Sequence, residues 1–250
     1  MSMKTDSIAL AARGKVVCQD VARHGKNYII VADGCSSSPH SEVGAMLLAM
    51  TARNFFENRL TPENFGEAVI YQAFTTSKVL GLPDSSMDAT LIIGYETDET
   101  FRVLMYGDGV VWHQIDHETD WPFYIHETFG TVNGRAASLP HYLSYKLNQR
   151  RSDDFLSANP GSFVNGKASG FSECIEYNFE KRGIVGVSTD GINAITGASS
   201  NKISAELALS KFLTFPVTEG AFLARRAWAT VNRERWTLND DFGMAVAIWK

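Results

Sequence analysis

Cysteine, basic charge and long apolar runs are all scarce in this sequence, and each shortage excludes a class of protein. The 250 residues include three cysteines without CxxC spacing, which argues against a disulfide framework and a zinc site. The formal net charge of −5 argues against nucleic acid or an anionic membrane as a partner. No apolar run is long enough to span a bilayer, and the opening MSMKTDSIALAARGK lacks the apolar core of a secretory signal. We therefore expect a cytoplasmic enzyme or binding domain.

The order of predicted elements indicates an α+β fold in one domain. Short strand-like segments at 89–95, 101–109 and 110–115 follow each other through tight turns, which is typical of an antiparallel sheet. The full order is strands, two helices, strands, two helices and a final strand, without regular βαβ alternation. No repeat, low-complexity tract or Pro/Gly linker divides the chain, so we expect a single domain over residues 1–250.

The helices are predicted from their caps and apolar periodicity. Ser41 can cap the first helix and Thr61-Pro62 can begin the second, which Gly81 would end. A further helix is predicted over 218–236. The first helix is expected to have an apolar stripe of Val43, Met46, Leu47 and Met50. The last helix is expected to have Phe222, Arg225, Trp228 and Ala229 on a common side.

Aspartate recurs where strands end. The segments IIVADG, VLMYGDG and VGVSTDG end in Asp-Gly at Asp33, Asp108 and Asp190, whereas Asp240-Asp241 stands directly before the last strand and Asp20 lies in the segment GKVVCQDVA. A single Asp-Gly is most often a turn. Several acids gathered at strand ends would repel each other unless divalent cations lay among them, and hard ions such as Mg²⁺ and Mn²⁺ select carboxylate oxygens. The set therefore predicts a generic Mg²⁺/Mn²⁺ site.

The same segments resemble the ordered signature motifs of the metal-dependent PP2C (PPM) protein phosphatases. The resemblance runs from about residue 10 to the C-terminus, and the order of the motifs carries it more than any one of them. The segments concerned are QD at 19–20, VADG at 31–34, DAT at 88–90, YGDG at 106–109, STDG at 188–191 and DDFGMAVAI at 240–248.

This resemblance implies a fold and a set of ligands. The fold would be a four-layer α-β-β-α sandwich of two antiparallel sheets, with a flap-like insertion at about 130–170. Two Mn²⁺ or Mg²⁺ ions, with a possible third, would lie at one end of the sandwich. Asp33 and Asp190 would be the catalytic carboxylates, and Asp108 would help to hold the third ion. The full implied set of metal ligands is Asp20, Asp33, the Gly34 carbonyl, Asp108, Asp190 and Asp240.

The implied reaction is hydrolysis of phosphoserine or phosphothreonine in proteins by a hydroxide that bridges the two ions. The partners would be a phosphorylated protein and a cognate Ser/Thr kinase. Lys15 stands where the family often has a phosphate-binding arginine, with Arg13 close by, and lysine binds phosphate only as a point charge. Gln19 replaces an acid, and Cys35 replaces a histidine that is thought to protonate the leaving group.

These departures leave two alternatives open. The chain could be a catalytically weak pseudophosphatase that binds a phosphoprotein, or a phosphatase of small phosphorylated metabolites. The basic pair Arg150-Arg151 could contact a phosphopeptide, but we expect it to be solvated.

Overall fold

Two five-stranded antiparallel sheets lie face to face at the centre of the structure. The computed structural model describes residues 2–62, 64–115, 122–127, 131–132, 135–136, 140–158, 163–164, 167–168, 174–213 and 222–249. The strands in these ranges are β1 Met3–Leu10, β2 Asp20–Gly25, β3 Tyr28–Gly34, β4 Ala89–Glu96, β5 Phe101–Tyr106, β6 Val110–Gln114, β7 Tyr124–Glu127, β8 Thr131–Val132, β9 Arg135–Ala136, β10 Phe163–Val164, β11 Lys167–Ala168, β12 Ile175–Phe179, β13 Ile184–Ser188, β14 Ile195–Thr196, β15 Thr237–Leu238 and β16 Phe242–Trp249. The α-helices are α1 Ser41–Glu57, α2 Phe65–Val79, α3 Gln149–Ala158, α4 Ala205–Leu213 and α5 Phe222–Arg233. Short 3₁₀ segments lie at Asp84–Met87, Leu143–Leu147 and Asp190–Ala194.

The strand order confirms the predicted antiparallel architecture. The first sheet runs β1-β16-β13-β6-β7 and the second runs β12-β5-β4-β3-β2. Two smaller sheets have the orders β11-β10-β8-β9 and β14-β15. The strand β1, which the sequence pattern did not predict, pairs with β16 along its whole length, from Met3 opposite Trp249 to Leu10 opposite Phe242.

Side chains alternate between two apolar layers along each central strand, because both faces of each large sheet are covered. In β3, Ile29 and Val31 point between the sheets, whereas Ile30 points toward α1 and α2. In the first sheet, Trp112 and Phe242 pack on the opposite outer face with α4 and α5. The resulting layers are helix, sheet, sheet and helix, as the resemblance implied.

The first helix buries a different face from the one predicted. Met46 and Met50 are 38% and 45% exposed, whereas Leu48 is fully buried against the second sheet. Small residues line this buried face, and a Cβ on Gly44 would lie 1.7 Å from the Ser86 carbonyl oxygen. Close approach of the helix to its neighbours therefore selects small residues over the bulky ones that the pattern favoured.

Three further helix predictions are corrected. Ser41 is the first helical residue of α1 rather than its cap, and its hydroxyl accepts a hydrogen bond from Gln19 Nε2. The second helix begins at Phe65, after Thr61-Pro62. In α5 Trp228 is 55% exposed, because the buried face consists of Phe222, Leu223, Ala227 and Thr230. The predicted start at Thr218 lies outside the described residues.

The region predicted as a flap-like insertion, about 130–170, lies partly outside the described residues. Within it the structure describes β8 to β11, a 3₁₀ segment and α3. Across the described ranges, every helix is too short or too polar to cross a bilayer.

The burial of α1 makes a testable distinction between two of its side chains. Leu48→Ala should lower the free energy of unfolding by about 2–5 kcal/mol, because it leaves a cavity in a fully buried layer. Met50→Ala, the matched control, should change it by less than about 0.5 kcal/mol, because Met50 is half-exposed. Urea unfolding followed by circular dichroism measures both. Equal losses for the two variants would contradict the orientation of α1.

Candidate metal centre

Asp20 and Asp33 face each other across two neighbouring strands. The first residue of β2, Asp20, is in register with Asp33 near the end of β3, and the two carboxyl groups lie close enough to affect each other's pKa. Asp20 is 4% exposed and also accepts a 2.6 Å hydrogen bond from Thr189 Oγ1. Burial raises the pKa of Asp20 to about 7, although the bond from Thr189 opposes the shift. Burial, followed by the charge of Asp20, raises the pKa of Asp33 well above its usual range.

Asp190 and Asp108 join this pair from the ends of two other strands. Asp190 follows β13, and its carboxyl group lies close enough to Asp33 to affect its pKa. Burial, then the nearby charge of Asp240, raises the pKa of Asp190. Asp108 follows β5, and burial together with the charge of Asp190 raises its pKa to about 7. The acids that the sequence placed at strand ends therefore meet at one end of the sandwich.

Asp240 and Asp241 have different environments despite their adjacency. Asp240 is 54% exposed and pairs with Lys15 Nζ at 3.2 Å. Asp241 is 3% exposed, accepts backbone hydrogen bonds from Ala12 at 2.7 Å and Gln19 at 2.8 Å, and pairs with Lys15 Nζ at 3.1 Å. Asp241 thus fixes the segment that leads into Asp20. Sequence reasoning left its role open, and the Asp-Asp doublet was the only signal of it.

Of the two basic residues predicted to bind phosphate, Lys15 lies in the acid cluster. Its ammonium group contacts Asp240, Asp241 and Gln19 Oε1. Burial lowers its pKa, but hydrogen bonds to the two aspartates outweigh that effect and raise it. Arg13 is exposed, and its backbone N–H donates to the Leu238 carbonyl oxygen.

The glycines that follow Asp33 and Asp190 are required by close contacts. A Cβ on Gly34 would lie 2.6 Å from the Ser41 carbonyl oxygen, and one on Gly191 would lie 1.7 Å from the Asp241 carbonyl oxygen. Gly109 differs, because its φ of +137° favours glycine.

The chemistry of the cluster fits hard divalent cations. Within the described ranges, no three His, Cys, Asp or Glu side chains form a ready ligand set. The carboxyl groups of the predicted ligands lie beside each other, Asp20 with Asp33 and Asp33 with Asp190. Their donors are carboxylate oxygens, and their raised pKa values reflect burial together with like charge nearby. Mg²⁺ and Mn²⁺ select such donors and would relieve the repulsion.

Cys35 lies in the turn that follows Gly34 and packs against Tyr142, Tyr145 and Phe155. Burial raises the pKa of the Cys35 thiol, but hydrogen bonds to Ser37, at 3.1 Å, and to Tyr142 outweigh it and lower that pKa.

The neighbouring Arg151 is not solvated as expected, because its guanidinium group binds the carboxylate of Asp88 at 2.7 Å and 3.0 Å.

Solved structures share this fold. The PPM Ser-Thr phosphatase MsPP from Mycobacterium smegmatis is 14% identical, with a TM-score of 0.62 over 100% of both chains. PppA, described as a key regulatory component of T6SS in Pseudomonas aeruginosa, is 14% identical, with a TM-score of 0.58 over 99% of this chain and 98% of its own. The catalytic domain of the phosphatase PstP, in complex with 2 manganese ions, is 12% identical, with a TM-score of 0.56 over 98% and 97%.

A comparison of the sequence with family models gives one match. Residues 11–132 match the family model described as Protein phosphatase 2C. Over these residues, which are just under half of its length, the chain is a divergent member of the PP2C type. No curated protein matches it by sequence at a significant level. Of the predicted ligands, Asp20, Asp33, Gly34 and Asp108 fall within the matched residues of this PP2C-type chain, and Asp190 and Asp240 follow them.

The raised pKa values predict how the metal-free phosphatase responds to pH. Asp20 and Asp108 have pKa values of about 7 when folded, against about 3.9 when unfolded. The folded state therefore binds more protons between about pH 4 and pH 7, so stability falls as pH rises through that window. In chelator, the melting temperature should be higher at pH 5.5 than at pH 8.

Asp108→Asn provides the control for this pH dependence. The variant lacks one of the carboxyl groups with a raised pKa, so the difference between the two pH values should shrink. A melting temperature of the wild type that is equal at both pH values, or higher at pH 8, would contradict the assignment.

Proposed function

We propose that this chain hydrolyses phosphoserine and phosphothreonine in proteins with two Mn²⁺ or Mg²⁺ ions, and a possible third. The observation that carries the proposal is the contact of Asp33 with both Asp20 and Asp190, because three separate strands bring these carboxyl groups together. When bound, such ions lower the pKa of coordinated water and neutralise charge on phosphoryl oxygens.

Each predicted ligand would have a separate role in holding the ions. Asp33 and Asp190 would be the central catalytic ligands, supported by Asp20, Asp240 and the Gly34 carbonyl. Asp108 would serve the third ion. Thr189 supports this arrangement, because it donates to Asp20 and accepts a 2.9 Å hydrogen bond from the Gly243 N–H, which orients the carboxylate.

Lys15 would bind the substrate phosphate as a point charge when it exchanges Asp240 for that phosphate, with Arg13 adding positive charge nearby. Its present contacts with Asp240 and Asp241 keep the ammonium group beside the predicted ligands. The proposal extends to a single domain over residues 1–250 with a flap at about 130–170, to a phosphorylated protein and a cognate Ser/Thr kinase as partners, and to the cytoplasm as the compartment.

The direct experiment treats the purified protein with chelator and then restores Mn²⁺. Mn²⁺-stimulated hydrolysis of a phosphothreonine peptide and of p-nitrophenyl phosphate is the expected result. Calorimetry with the same peptide distinguishes the proposed enzyme from the pseudophosphatase alternative, which the ion-paired state of Lys15 favours. Tight binding of the peptide without turnover would support the pseudophosphatase and contradict the proposed activity. Faster turnover of a small phosphorylated metabolite than of any phosphopeptide would change the substrate class.

Asp190→Asn should lower kcat by at least about 10-fold, which is about 1.4 kcal/mol in the barrier. The amide keeps the size of the side chain but lacks the charge that holds a hard cation. Without metal the melting temperature should stay level or rise, because the substitution removes like-charge repulsion.

Asp98→Asn is the matched control, because Asp98 is exposed in the turn between β4 and β5, at the strand ends away from Asp108. Its kcat should equal that of the wild type. A kcat of the Asp190 variant above about a tenth of the wild-type value would remove Asp190 from the site.

The lowered pKa of Cys35 favours the thiolate, which leads to a second mechanism to test, in which the thiolate attacks phosphorus directly. Our proposal gives the thiol no chemical role. Cys35→Ala should therefore change kcat for p-nitrophenyl phosphate by less than about 10-fold. Loss of a positioned acid or nucleophile would lower kcat by at least about 10²-fold. A loss of about 10²-fold or more in a folded variant would make Cys35 a participant.

A further inference from the structure

Asp88 is a buried carboxylate beside the candidate metal centre, and the proposed reaction does not use it. It is 3% exposed and directly precedes Ala89, which pairs with Gly34 in the β3–β4 register. Its side chain accepts four hydrogen bonds from three other residues. These are Arg151 Nη1 at 3.0 Å, Arg151 Nη2 at 2.7 Å, Ser144 Oγ at 2.6 Å and Ser38 Oγ at 2.9 Å. We call Asp88, Arg151, Ser144 and Ser38 the Asp88 network.

The Asp88 network connects separate parts of the chain. Arg151 belongs to α3 and Ser144 to the 3₁₀ segment before it, whereas Ser38 belongs to the turn after Gly34. Arg151 binds both carboxylate oxygens, the two-pronged geometry that only arginine provides, and its guanidinium group lies 4.9 Å from the centre of the Tyr145 ring. The region around the predicted flap is therefore tied to the strand end that carries Asp33.

The backbone of Asp88 acts on the same turn. Its carbonyl oxygen accepts a 2.9 Å hydrogen bond from the Cys35 N–H. That N–H and the Gly34 carbonyl belong to one planar trans peptide group and point in opposite directions. A hydrogen bond that fixes the N–H therefore also fixes the direction of the Gly34 carbonyl, the predicted backbone ligand of a metal ion.

We propose that Asp88 and Arg151 are positioning residues that hold the Gly34–Cys35 peptide in the orientation that binds metal. This inference rests on the proposed function. Arg151 and Ser144 fix the Asp88 side chain, the Asp88 carbonyl fixes the peptide, and Ser38 fixes the rest of the turn. Asp88 and Arg151 do not touch the reacting atoms in this account, so their loss affects metal affinity rather than the chemical step.

The test uses the full chain and Mn²⁺ alone as the probe. Calorimetry on chelator-treated protein measures the Kd for Mn²⁺, and steady-state assays with p-nitrophenyl phosphate measure kcat at saturating Mn²⁺. Arg151→Ala should raise the Kd by about 10-fold or more, as losses of residues that orient metal ligands do. Its kcat at saturating Mn²⁺ should stay near the wild-type value, and Arg151→Lys should have an intermediate Kd.

Arg150→Ala is the matched control, because Arg150 is the exposed neighbour of Arg151 in α3. Its Kd for Mn²⁺ should equal that of the wild type. An unchanged Kd in folded Arg151→Ala would overturn the proposal while leaving the proposed function intact. A wild type that binds no Mn²⁺ would overturn both.

Ser38→Ala keeps the test decisive if Arg151→Ala does not fold, since loss of Arg151 leaves the buried Asp88 charge without its ion-pair partner. This variant removes one hydrogen bond from the turn and keeps the pair between Arg151 and Asp88. It should also raise the Kd for Mn²⁺ at an unchanged melting temperature. An unchanged Kd would overturn the proposal, because a merely structural network has no reason to affect the metal.

Discussion

Repulsion among buried carboxyl groups is the constraint on which the rest of this structure depends. Asp20, Asp33, Asp108 and Asp190 all have raised pKa values, with burial as the first cause, and nearby aspartate charges add to it. The ammonium group of Lys15, at this end of the sandwich, is paired with Asp240 and Asp241. The fold holds these acids together although charge opposes it, which is the usual condition of a site whose stability depends on a bound cation.

The sandwich tolerates this because its apolar layers lie directly behind the acids. Ile29 and Val31 precede Asp33 in β3, and Val187 precedes Asp190 by three residues at the end of β13, all within the layer between the sheets. Backbone and side-chain hydrogen bonds then orient individual carboxylates, as Thr189 does for Asp20 and the Ala12 and Gln19 N–H groups do for Asp241. The buried apolar layers hold the strands in place, and these hydrogen bonds orient the carboxylates.

The sequence alone predicted the parts of this arrangement that depend on local pattern. Strands that end in Asp-Gly were recognisable because apolar runs and turn residues are local signals, and the PP2C-type resemblance ordered them. The buried face of α1 was not predictable, since close contact between Gly44 and Ser86 depends on residues that are far apart in the chain. The roles of Asp88, Arg151 and Asp241 were missed for the same reason: their partners lie 63, 56 or more than 200 residues away.

The most direct test of the account is the location of Mn²⁺ in crystals of the chelator-treated and reloaded protein, from anomalous scattering. We expect two Mn²⁺ peaks about 3.5–4 Å apart, both in contact with Asp33 oxygens. The carboxyl groups of Asp20 and Asp33 should no longer contact each other. Absence of any peak at Asp33 at a saturating Mn²⁺ concentration, with the Asp20–Asp33 contact retained, would contradict it.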